Sequence, residues 1–108
     1  MSANPVFKRI EQDIAQNPVL LYMVGTPMFP MSNASAQAVL ILSEIGVAFK
    51  GTDVIPDPSL KEGLREYANW PALPQLYVQG KFVGGADTLC DMAAKEELIP
   101  FFQTRGLL

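Results

Sequence analysis

Six consecutive apolar residues, Val19 to Val24, are closed off by Pro18 on one side and Gly25 on the other. A block this short and unalternating suits a strand covered on both faces, which predicts the centre of a sheet. The rest of the chain must then supply cover. Upstream, Pro5 to Asn17 spaces Val6, Phe7, Ile10 and Ile14 as the stripe of an amphipathic helix, with Asn4 placed to cap it and Pro5 at its first position. Downstream, Ser32 to Ile45 returns to helical spacing through Val39, Leu42 and Ile45, and Gly46 stands where a C-cap belongs.

The second half follows the same logic. Val47 to Val54 predicts a second strand, and Pro58 to Tyr67 a helix carrying Leu60, Leu64 and Tyr67 on one face with Asp57 as its cap. Gln75–Val78 and Lys81–Gly84 flank Gln79-Gly80, whose glycine supplies the positive φ of a hairpin turn. Ala86 to Lys95 then forms a helix with Leu89 and Met92 inward, and a last segment packs back through Leu98, Phe101 and Phe102. The order is α-β-α-β-α-β-β-α-α, an α/β fold. At 108 residues, without a repeat or a linker, residues 1–108 are expected to form one domain.

Composition narrows the chemistry. The chain has no histidine and one cysteine, Cys90. That excludes an internal disulfide, a Cys-x-x-Cys dithiol, a cysteine-rich zinc site and every Ser-His or Cys-His arrangement. Eight basic against eleven acidic residues, with no run of like charge, argue against nucleic acid as a partner. No apolar run is long enough for a membrane span or a secretory h-region, so a cytoplasmic protein is expected.

Four segments carry a resemblance: Tyr22-Met23-x-Gly25-Thr26-Pro27-x-x-Pro30, Ser35-x-Gln37-Ala38-Val39, Asn69-Trp70-Pro71-x-x-Pro74-Gln75-Leu76-Tyr77-Val78-x-Gly80, and Gly84-Gly85-x-Asp87. In this order they are those of the thioredoxin superfamily, and in detail they resemble monothiol glutaredoxins of the Cys-Gly-Phe-Ser type. The resemblance implies a thioredoxin fold of glutaredoxin type, a four-stranded mixed sheet flanked by helices. It also implies glutathione binding, redox homeostasis, and a 2Fe-2S cluster bridged in a homodimer and handed to acceptor proteins, with BolA-like proteins as partners.

The same alignment exposes a loss. Pro30 and Ser35 set Ser32, Asn33, Ala34 and Ser35 on the family's Cys-Gly-Phe-Ser, so a hydroxyl replaces the thiol that serves as both nucleophile and cluster ligand. A helix start lowers a thiol pKa, but a dipole worth about 0.3–1 kcal/mol leaves a serine hydroxyl un-ionised at neutral pH. Hydroxyl oxygen forms no mixed disulfide and is a hard, poor match for cluster iron. With no histidine to activate it, Ser32 is expected to act as a helix N-cap. Val24 stands where the family carries a lysine supporting thiolate and glutathione, and Ala86 where many members have a second cysteine. The sequence leaves open whether divergence or engineering removed the chemistry.

Part of the glutathione site survives by the same resemblance. Leu73-Pro74 corresponds to the family's cis-proline, Lys61 to a basic residue meeting the glycyl carboxylate, and Gly85-Ala86-Asp87 to helix-start groups at the γ-glutamyl end. Each has a structural alternative: Lys61 as a solvated helix residue, Asp87 as an N-cap, Trp70 as packing beside the hairpin, and Cys90 as a small buried apolar residue beside Leu89. The resulting expectation is a homologue without redox or cluster chemistry that keeps the fold and weak glutathione or protein binding. One alternative is a 2Fe-2S carrier or thiol oxidoreductase using a non-standard ligand set, such as glutathione thiols with the Ser32 oxygen or Cys90; another is an engineered active-site variant of a cluster carrier.

Overall fold

A computed structural model of the chain describes residues 5–108. The apolar block becomes β1 (Val19–Met23), every residue of it buried. It pairs in parallel with β2 (Lys50–Asp53) and antiparallel with β3 (Gln75–Val78), which pairs antiparallel with β4 (Lys81–Gly84), so the sheet order is β2-β1-β3-β4. Alternate side chains of β1 go to opposite faces, as the pleat requires. Val19, Leu21 and Met23 join a core with α2 (Asn33–Ile45), α4 (Ala86–Ala94) and α5 (Leu98–Gln103). Leu20 and Tyr22 join a second core with α1 (Val6–Gln16) and α3 (Pro58–Ala68). The result is the expected four-stranded mixed sheet between two helical layers.

Several boundaries depart from the sequence reading. α1 begins at Val6, with Pro5 at the cap position and no side-chain cap; Asn4 lies outside the described residues. β2 begins at Lys50, not Val47, because β1 offers parallel partners only from Leu20 to Met23. Val47 is buried in the core before pairing begins. In the hairpin, Gln79 (φ 51°) and Gly80 (φ 82°) both take positive φ, which matches the right-handed twist of the strands they join. Leu76 faces Gly84 while Tyr77 faces Phe82, so Val83 is an extra residue on edge strand β4.

Candidate functional site

Register brings the candidate positions to one end of the sheet. Met23 ends β1 opposite Asp53 of β2, and Tyr22 faces Gln75 at the start of β3, while Gly84 ends β4 opposite Leu76. The loop from Val24 to Ser32, residues 70–74, and Gly85 with the start of α4 therefore all leave the sheet at the same end.

The loop is a small hairpin held by its own backbone. Thr26 and Phe29 exchange N–H to O bonds at 3.2 and 3.0 Å, and the Met31 N–H donates to the Val24 carbonyl at 2.9 Å. Gly25 has φ +92°, and a Cβ there would lie 2.5 Å from the Phe29 carbonyl oxygen and 2.6 Å from the Met31 nitrogen. Only glycine fits that close approach. Two side chains tie the loop down, neither singled out from sequence as such. Asp53 Oδ1 accepts from the Gly25 N–H at 3.0 Å and from the Ile55 N–H at 2.9 Å. The fully buried Ser35 accepts from the Val24 N–H at 3.0 Å through Oγ. The signal for Asp53 was its spacing: an aspartate two residues before Ile55 at a strand end, the pattern of an Asx turn.

Ser32 stands at the N-cap of α2 in extended conformation, and its Oγ accepts from the Ser35 N–H at 3.1 Å. The hydroxyl therefore has a structural task. Val24 lies just past β1, half-buried, with its N–H and carbonyl both committed to the loop. Around this framework Met28, Phe29 and Met31 are strongly exposed, at 83, 74 and 68% of their surface. As donors for a cluster these residues do not fit. At the position of the motif thiol, Ser32 offers a hard oxygen already engaged in capping.

The facing side of the site is a shelf. The Leu73-Pro74 bond is cis. Lys61, exposed on α3, lines a cavity of about 310 Å³ together with Trp70, Pro71 and Leu73. Gly85 is buried, and a Cβ on it would lie 3.0 Å from the Pro74 carbonyl oxygen. Gln75 supports the shelf from beneath: its buried amide donates to the Trp70 carbonyl at 3.2 Å and accepts from the Tyr77 hydroxyl at 3.1 Å. Trp70 is 40% exposed with its ring 5.9 Å from that of Phe82, so it packs on the shoulder of the hairpin as expected. Two expectations change. Asp87 is not the cap of α4; Gly85 holds the cap position without a side-chain bond, and Asp87 lies exposed inside the first turn beside buried Ala86. Cys90 is half-buried instead of buried, because Leu89 takes the fully inward position.

The glutaredoxin family model matches residues 19–83. Glutaredoxin 4 of Escherichia coli K12 is 44% identical over 91 residues, 84% of this chain and 79% of the relative. An uncharacterized monothiol glutaredoxin, ycf64-like, of Synechocystis is 41% identical over 96 residues, 88% of this chain and 90% of the relative. The solution structure of a monomeric truncated mutant of Trypanosoma brucei 1-C-Grx1 superposes with a TM-score of 0.85 at 28% identity, covering 94% of this chain and 92% of that one.

Proposed function

This chain belongs to the glutaredoxin family, with monothiol members among its relatives, and on that premise we propose that it is a binding member that has given up thiol and cluster chemistry. The observation that carries this reading is Ser32 Oγ accepting from the Ser35 N–H: the motif position now caps α2 instead of presenting a thiolate. Thiol exchange needs a sulfur to attack and leave, and Ser32 supplies none. The protein keeps the glutathione shelf, where the Leu73 and Pro74 backbone, Lys61, and the Gly85, Ala86 and Asp87 segment would hold the peptide. Val24 in place of the family's lysine removes one charge-assisted contact, worth about 1.5–3 kcal/mol, so binding is weakened by an order of magnitude or more. Protein partners on this reading are BolA-like or cluster-acceptor proteins or a second copy, meeting the exposed rim of Met28, Phe29 and Met31. No helix among the described residues is long and apolar enough to cross a membrane, and a cytoplasmic setting is part of the proposal.

Anaerobic reconstitution with iron, sulfide and glutathione tests it. The chain is expected to stay colourless, and a stable visible chromophore would overturn the proposal. Titration with reduced glutathione, followed by the amides of Lys61, Leu73, Gly85 and Asp87, should give small shifts saturating only at millimolar ligand; no shifts at all would end the binding half of it. Combining Val24→Lys, Ser32→Cys, Asn33→Gly and Ala34→Phe is expected to restore cluster uptake where Ser32→Cys alone does not.

A further inference from the structure

A second concavity lies away from Ser32, beside the turn end of the hairpin. Edge strand β4, α4 and α5 enclose a cavity of about 460 Å³, within the range of small-molecule sites. Val78, Val83, Met92 and Phe101 supply its apolar lining. Its charged lining residues are Lys81 and Arg105, with no acid among them, although the chain carries a net charge of −3. Of the acids on α4, Asp91 pairs with Lys95 at 3.1 Å on the outside of the helix, and Asp87 is exposed in its first turn.

The two cations differ in freedom. Arg105 is fixed, its guanidinium 3.7 Å over the Phe101 ring and donating to the Phe101 carbonyl at 2.7 Å. It forms part of the wall. Lys81 has no ion-pair partner among the described residues, and the Thr88 hydroxyl, also lining the cavity, has no hydrogen-bond partner there. An apolar recess with a free ammonium and a free hydroxyl at its polar side is complementary to one chemistry: an apolar body ending in a single negative charge. A neutral molecule would leave the ammonium unused, and a small polar anion would leave the apolar lining wet.

We propose that this cavity is a binding site for a small amphipathic carboxylate, its chain or ring on Val83, Met92 and Phe101 and its carboxylate between Lys81 and Thr88. The site is independent of Ser32 and of the glutathione shelf, so it stands or falls apart from the proposed function. The test is titration of the full chain with octanoate, followed by the amides of Lys81, Val83, Thr88 and Met92. Saturable shifts at these positions are expected, with octanol and acetate each binding at least about tenfold more weakly. Lys81 is exposed, so Lys81→Glu should fold normally and lose octanoate affinity about tenfold or more, while Lys81→Arg retains it. Equal binding of octanol, an unaffected Lys81→Glu variant, shifts confined to Trp70–Leu73, or binding of a peptide carboxylate but not of octanoate would each overturn the proposal.

Discussion

The loop from Val24 to Ser32 and the shelf of residues 70–74 with Gly85 leave the same end of the sheet, yet they are built from different materials. The loop sits in a stretch with no charged side chain from Ile14 to Ser43, shows Met28, Phe29 and Met31 to solvent, and is held by glycine geometry and backbone bonds with Asp53 and Ser35 as anchors. The shelf borders charged residues of α3, Lys61, Glu62 and Arg65, and rests on one buried amide, Gln75. A loop that shapes itself by backbone geometry can change its side chains and keep its form. The shelf has the Trp70 N–H bond to the Arg65 carbonyl and the Trp70 ring on Phe82, but its underside is tied by one polar side chain whose loss it would feel.

The sharpest way to break this contrast is Gln75→Ala. It leaves the buried Tyr77 hydroxyl and the part-buried Trp70 carbonyl without their partner, so about 2–3 kcal/mol should be lost in urea unfolding, with amide shifts concentrated in residues 70–74. Gly25→Ala is next. The added Cβ collides with the Phe29 carbonyl and the Met31 nitrogen, and about 2 kcal/mol should be lost, with the loop distorted and the shelf unchanged. Ser32→Ala removes only the cap of α2, about 1 kcal/mol by the same measurement, and leaves the loop hairpin intact. If Ser32→Ala costs nothing, the hydroxyl is not engaged as a cap, and the central observation of the proposed function fails.

The smallest effect is a control outside both regions. The Leu60 N–H donates to Asp57 Oδ1 at 3.1 Å, and Arg9 pairs with the same carboxylate, so both hold its pKa below the ordinary carboxylate value. A depressed carboxylate stabilises fully above its unfolded-state pKa of about 4 and loses that contribution as pH falls through the lower folded-state value. Asp57→Asn should therefore flatten a small part of the acid limb in urea midpoints taken between about pH 5 and about pH 2.5, without altering either the loop or the shelf.

Local pattern made much of this legible. The buried central strand, the positive-φ hairpin turn, the Gly46 C-cap and the Ser32 and Asp57 caps each follow from residues adjacent in sequence. What was not legible depends on partners distant in the chain. The start of β2 is set by where β1 begins its parallel pairing, at Leu20, and not by the apolarity of Val47. Asp87 resembles a cap only until the backbone shows Gly85 in that position. Asp53, Ser35 and Gln75 are ordinary polar residues until the fold carries them to Gly25, Val24 and Trp70. The cavity between β4 and α5 joins segments that no local motif links.

The exposed loop also carries a built-in chemical clock. Peroxide converts an accessible thioether to a sulfoxide, and the methionines among the described residues are graded in access: Met28 and Met31 are open, Met92 is half-buried and Met23 is fully buried. Oxidation read by mass spectrometry should therefore proceed from the loop, through α4, to the sheet. A ligand or partner that covers the loop would slow the first stage alone. Early oxidation of Met23 would mark opening of the central strand, so one time course separates occupancy of the loop from unfolding of the domain.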